Sequence, residues 1–209
     1  MQRTLRPAVG RRVRLPASSR PRWSSDIPDP HTLDRALIRT ERLDIRPCRD
    51  ADLDAFHAFD SDPEARHFLG GLRTRAETET GLRAHMRSVE ASGLGARAVV
   101  ERVSDAVVGY CGLQALEGTG ELELFYGYLR SAWGRGLATE AGRALIGAAG
   151  QCSSLDRLAA IAHPENAASL RVLRKLGFRP VGTYVHPRWN TEHVCLSLDL
   201  AAARSTRRE

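Results

Sequence analysis

The 209-residue sequence predicts an α/β fold on a mixed sheet, from three observations. Three strand-like runs follow one another across short turns in mid-chain, the signature of an antiparallel meander. A strand–helix–strand unit comes next, and such a crossover brings its two strands parallel. Two amphipathic helices stand ahead of the meander, so helices are available to cover the sheet.

Regular structure is expected to begin near Leu37. Arg42-Leu43-Asp44-Ile45-Arg46 alternates apolar and polar residues with the period of a half-buried strand. Asp50 is placed to cap a helix through Leu53, Phe56 and Phe59. Asp62-Pro63 ends it, because the residue before proline avoids the helical region. Thr74 caps a second helix through Leu82, Met86 and Val89, and Gly93 closes it. The meander spans 96–103, 107–116 and 121–129, with turns at 104–105 and 117–120. A glycine-rich turn opens a helix from Gly136 to Gly150, and 157–162 reads as a short buried strand. A helix follows from Asn166 to Leu176 with Gly177 just past its end. The last strands are expected at 178–184 and 193–200, and no internal repeat is visible.

Composition narrows the function classes. With 42% hydrophobic and 27% charged residues the chain can bury a core without staples. No apolar run reaches the roughly 18 residues of a spanning helix. Cys48, Cys111, Cys152 and Cys195 lie far apart without a C-x-x-C, which argues against a disulfide framework or a structural zinc. Cys111, Cys152 and Cys195 read as small core residues. Of 31 basic residues only Lys175 is lysine, a skew that reflects a GC-rich genome rather than a function.

The net charge of +6 is unevenly placed: residues 1–22 hold seven arginines and no acid, leaving 24 basic against 25 acidic residues elsewhere. A neutral body argues against a nucleic-acid-binding domain. Residues 1–36 carry five prolines by Pro30 and several serines, and are expected to be a disordered extension. An organellar transit peptide has the same composition, whereas no apolar signal core is present, so a cytoplasmic location is expected. Residues 202–209 read as a flexible tail.

The informative segment runs from Glu121 to Ala141. A strand feeds a turn containing Gly134 and Gly136, and a helix begins at once. The first N–H groups of a helix have no partner inside it and sit at its positive dipole end. Glycines let a phosphate come close to them. The pattern is neither a Walker loop nor a dinucleotide fingerprint. On these residues alone it is either an anion site or a tight turn without a ligand.

A second segment, His163 to Phe178, follows the next strand. Together the two resemble the Gcn5-related N-acetyltransferase (GNAT) family, closest to its ribosomal-protein N-terminal-acetylating branch. Trp133-Gly134-Arg135-Gly136-Leu137-Ala138 matches the family's acetyl-CoA loop except at the first position, and Thr139-Glu140-Ala141 completes that branch's form. Asn166-x-x-Ser169 followed by Leu176-Gly177-Phe178 resembles the second family motif. The resemblance covers about 40–200 and leaves the N-terminal extension outside, implying an N-acetyltransferase domain at 37–201.

The resemblance implies a mostly antiparallel sheet whose two central parallel strands, 121–129 and 157–162, splay apart to admit the pantetheine arm of acetyl-CoA, the co-substrate. It assigns cofactor binding to Leu124, Gly134, Arg135, Gly136, Leu137, Ala138, Thr139 and Asn166. Arg135 adds charge-assisted bonds in this reading. Glu123 stands where related enzymes place a proton-removing carboxylate; otherwise it is a solvent-facing strand residue like Glu121. Ser169 stands where that branch is thought to place a hydroxyl beside the CoA sulfur, with Tyr184 as the alternative acid. Otherwise Asn166 is an N-cap and Ser169 an early helix residue. His163 lines the site, and His186, Trp189 and His193 lie where acceptors dock in this family. His57, His67 and His85 have no metal-ligand spacing, and no metal is expected.

The implied reaction is acetyl transfer from acetyl-CoA to a primary amine, either a protein N-terminal α-amine or a small molecule, by direct attack on the thioester. The alternatives are a non-catalytic acyl-CoA sensor or interaction module, and ribosome or RNA attachment through the arginine-rich extension. Partners beyond acetyl-CoA and the amine are not expected to include membrane, and a homodimer is left open.

Overall fold

The structure, a computed structural model, describes residues 37–152 and 155–200. The extension expected at 1–36 and the tail at 202–209 lie outside the described residues.

Eight strands and four α-helices alternate along the chain. They are β1 (Ile38–Arg39), β2 (Leu43–Pro47), α1 (Leu53–Asp60), α2 (Arg75–Ser92), β3 (Gly95–Glu101), β4 (Ala106–Leu116) and β5 (Glu121–Tyr128). Then come α3 (Leu137–Ala149), β6 (Arg157–Ala162), α4 (Ala167–Lys175), β7 (Arg179–His186) and β8 (Thr191–Asp199). The strands form one sheet in the order β1-β2-β3-β4-β5-β6-β8-β7. Every neighbouring pair is antiparallel except β5 and β6. The mixed α/β architecture of the sequence reading is therefore the observed one. The addition is β1, a two-residue strand on the outer edge.

Local chemistry explains most boundaries. Thr74 and Glu77 exchange side-chain to backbone bonds at the start of α2, at 3.3 and 2.7 Å, and Gly93 ends it at φ +70°. The start of α1 differs from expectation. Asp50 lies inside a 3-10 turn, Asp50–Asp52, and Asp52 instead accepts from the Arg49 N–H at 2.8 Å. The Asp52 carboxylate is drawn inward by a two-point contact with Arg46 on β2, at 2.8 Å each, which an exposed Asp50 could not make.

The two faces of the sheet are covered differently. Leu43, Ile45, Val99, Leu113, Leu122 and Leu124 face α3 and α4 in the main core, with Leu137, Leu145 and Leu173 from those helices. The opposite face carries Tyr110 of β4, on which Phe56 of α1 stacks at 5.6 Å and which Phe59 meets edge-on at 5.2 Å. A Cβ at Gly142 would lie 2.7 Å from Leu176, so α3 and α4 approach closely and α4 is fixed against the sheet. All four cysteines are buried and unbridged. No helix among the described residues is long and apolar enough to cross a membrane.

Candidate active site

The site is built around the parallel pair. β5 and β6 register at a single position, Glu123 opposite Ala159. Beyond it toward the C-terminal ends no further pairing of the two strands occurs.

The turn into α3 is a backbone device. The indole N–H of Trp133 donates to the Tyr128 carbonyl at 2.8 Å and ties the turn to the end of β5. Gly134 and Gly136 take φ of +72° and +79°, a left-handed region that costs other residues roughly 1–2 kcal/mol each. Gly136 is the N-cap and supplies no side-chain bond; its carbonyl accepts from Thr139 and Glu140, both at 3.1 Å. Among the described residues, the N–H groups of Gly134, Arg135, Gly136, Leu137 and Ala138 have no hydrogen-bond partner. Five consecutive free amides stand at the positive end of a 13-residue helix, a cradle of a shape and charge that an anion could occupy.

Charged side chains brace this loop. Glu140 accepts from Thr40 Oγ1 at 2.6 Å, from the Arg42 N–H at 3.0 Å and from the Arg42 guanidinium at 2.7 Å. Burial raises its carboxyl pKa, but those bonds and the Arg42 charge outweigh burial, and the net displacement is downward. Arg42 also donates to the Arg135 carbonyl at 3.0 Å, so a guanidinium stands beside the cradle that sequence reading did not identify. The Arg135 side chain pairs with Glu101. Thr139 is buried, and its amide is committed to the Gly136 carbonyl.

Glu123 and Ser169 lie on opposite sides of β5, because successive strand residues alternate faces. Glu123 is not solvent-facing, and neither is Glu121: they are 6% and 4% exposed. Tyr184 and Cys195, from β7 and β8, form a small cluster with Leu116 and Ala159 on that side and feel the Glu123 charge. Burial pushes the Glu123 carboxyl up to about 7, against the opposing pull of a Gln114 hydrogen bond at 2.6 Å. Glu121 is raised by burial too, with Arg157 opposing it at 3.7 Å.

On the other side, Asn166 Oδ1 accepts from the Ser169 N–H at 3.0 Å, the N-cap of α4. Ser169 Oγ lies 2.9 Å from the Tyr126 hydroxyl. Tyr184 donates its hydroxyl to the Glu117 carbonyl at 3.0 Å, and burial followed by the Glu123 and Glu117 charges raises its pKa. His85 accepts from the Ala96 N–H at 3.2 Å, its pKa lowered by burial, as a satisfied interior imidazole. Among the described residues no group of three potential ligands could hold a metal.

A cleft of about 410 Å³ opens beside the C-terminal end of β6, between the 62–73 segment and the β7–β8 turn. His163 and Trp189 line it, together with Phe68, Gly70 and Thr191, whereas His186 and His193 stand behind the lining. His186 stacks on Trp189 at 3.7 Å, and His193 stands 5.8 Å from the same ring. Nothing in the sequence flagged Phe68 or Gly70, because the 62–73 segment has no periodicity.

The chain is similar in sequence and fold to known proteins. A family model described as acetyltransferase (GNAT) domain matches residues 42–179. An uncharacterized N-acetyltransferase, p20, of Bacillus licheniformis is 29% identical over 69% of this chain and 83% of its own length. The crystal structure of an acetyltransferase from Agrobacterium tumefaciens superposes with TM-score 0.67 at 26% identity, over 78% of this chain and 94% of that one. At 16% identity the likeness is of fold alone to RimL, the ribosomal L7/L12 α-N-protein acetyltransferase solved with coenzyme A (TM-score 0.65, 78% and 98% covered).

Proposed function

The chain belongs to the acetyltransferase (GNAT) family, and from that premise we propose that it moves the acetyl group of acetyl-CoA onto a primary amine by direct attack on the thioester. The observation that carries this reading is the run of free amides from Gly134 to Ala138 beside the unpaired ends of β5 and β6. Those amides take the diphosphate. The pantetheine arm lies between the strands, reaching Asn166 through its uncommitted amide nitrogen, and a β5 N–H near Leu124 polarises the thioester carbonyl.

The two faces of β5 then divide the chemistry. The amine arrives on the Glu123 side and must be neutral to attack. A carboxylate near 7 lies about one unit below an α-amine and about three below a lysine-like amine. Glu123 therefore accepts the proton directly or through water. Attack forms the C–N bond and a tetrahedral oxyanion; as that collapses the C–S bond breaks, the nitrogen gives up its second proton, and the departing thiolate lies on the Ser169 side. An alkyl hydroxyl is far less acidic than a thiol, so Ser169, backed by Tyr126, stabilises the thiolate by donating a hydrogen bond. The thiolate is protonated by that second proton, relayed through water, while Glu123 returns the first to solvent.

Titration calorimetry with coenzyme A tests the cradle. Saturable heat, lost in competition with acetyl-CoA, is expected; absence of heat overturns the reading. An acetyl-transfer screen of peptides with varied N-terminal residues, polyamines and aminoglycosides then identifies the acceptor.

A further inference from the structure

The glycines that shape the turn into α3 also leave it free to lose that shape. At φ +79° Gly136 turns the Arg135–Gly136 peptide so that its N–H belongs to the free run. A glycine takes the opposite sign of φ about as readily. Rotating that one peptide by half a turn would put the Arg135 carbonyl oxygen where the N–H now stands, and its negative end would repel a phosphate. In a trans peptide the C=O and the N–H point opposite ways. Whatever holds the carbonyl therefore aims the N–H.

The Arg42 guanidinium holds it. Nη1 donates to the Arg135 carbonyl at 3.0 Å, and Nη2 passes 3.7 Å from the place a Cβ on Gly136 would take. The guanidinium is itself fixed by Glu140, in the first turn of α3. Nε donates to Glu140 Oε2 at 2.7 Å, and Nη2 stands 2.6 Å from the same oxygen. Glu140 Oε1 accepts from the Arg42 N–H at 3.0 Å and from Thr40 Oγ1 at 2.6 Å. The Arg42 carbonyl accepts the Arg102 N–H at 2.9 Å, just past the end of β3. Arg42 is thus tied to the sheet by its backbone and to the helix by its side chain. Pairing with Glu140 offsets its charge, so the guanidinium supplies direction rather than net attraction.

We infer that Arg42 is a positioning residue for coenzyme A: by holding the Arg135 carbonyl it keeps the Gly136 N–H aimed at the diphosphate. This rests on the acetyl-transfer reading and adds to it a residue that acts on the co-substrate through a backbone amide.

The test measures coenzyme A binding to the full chain by titration calorimetry. Arg42→Met should weaken binding about tenfold, the worth of one hydrogen bond. Arg42→Lys keeps the charge but loses the planar fork that spans Glu140 and the Arg135 carbonyl, and should recover little. Gly136→Ala disturbs the same peptide, because alanine leaves the positive-φ region. Arg42→Met should therefore add little to it, and the double variant should bind within about threefold of Gly136→Ala alone. Undiminished affinity in Arg42→Met overturns the inference, as does full recovery in Arg42→Lys or a double variant whose losses multiply. If Arg42→Met fails to fold, Glu140→Gln, which takes the charged partner from the guanidinium, replaces it with the same expected loss and the same dependence on Gly136. No heat with the wild type fails the acetyl-CoA reading and the inference with it, whereas normal binding in the variants fails the inference alone.

Discussion

Gln114 on β4 stands directly opposite Glu123 on β5 and donates its amide to the Glu123 carboxylate at 2.6 Å. The bond favours the ionised carboxylate, while the burial around it favours the acid, and burial wins by enough to place the group at about 7. A carboxyl poised there changes charge where a cell operates.

The rate should follow that titration. Because the base works only when ionised, kcat/KM should rise with pH along a limb near 7. Glu123→Gln should remove that limb and lower kcat by about 10²–10⁴-fold, with coenzyme A affinity unchanged. Gln114→Leu should shift the limb upward by removing the bond that opposes burial. A pH–rate profile of the three proteins measures both effects, and an unchanged limb in Glu123→Gln removes Glu123 from the reaction.

Stability should move the other way. The folded carboxyl holds its proton up to about 7, whereas the unfolded chain releases it near 4.5. Between those values the folded state binds more protons, so stability is lost as pH rises, to about 3 kcal/mol at most. Glu123→Gln escapes this loss. Urea unfolding should show the variant gaining on wild type from pH 4.5 to 7 and holding a constant lead above 7.

Gly136→Ala should weaken coenzyme A binding at least tenfold, because a φ of +79° strains any side chain and the cradle must relax to accept it. Gly71→Ala, at φ +88° in a segment away from α3, is the control. It should lower the melting temperature and leave the calorimetric Kd alone.

Asn166 and Ser169 separate under mutation as cap and hydroxyl. Asn166→Ala removes the N-cap of α4 and should cost about 1 kcal/mol in stability. Ser169→Ala keeps the capped N–H, and should leave the melting temperature near wild type while lowering kcat about tenfold, the worth of one hydrogen bond of about 1.4 kcal/mol. Thermal melts beside steady-state kinetics distinguish the two.

Elements written in short-range chemistry were legible beforehand. Thr74 and Gly93 bound α2, Gly136 opens α3, and Asn166 caps α4, because each acts on residues within four positions. Burial across the sheet was not. Glu-Leu-Glu-Leu from Glu121 reads as a strand with one wet face, yet Tyr184 and Cys195 close over that face from about 60–70 residues downstream. Arg42 reaches the cradle only because Glu140, 98 residues away, holds it there. Asp52, not Asp50, stands at the N-cap position of α1, and its carboxylate takes the Arg49 N–H because Arg46 on β2 anchors it. Insertion of β8 between β6 and β7 has no local signature at all.

The lone rung between β5 and β6 makes the sheet two leaves joined by a seam. Helix α3 packs on one leaf and α4 on the other, and their mutual contact fastens the join from one side. A cofactor arm with its own amides, laid along that seam, would act as mortar between the leaves. The loaded protein would then melt as a single body and the empty one begin to part along this line, with the cofactor serving as a structural member as well as a reactant.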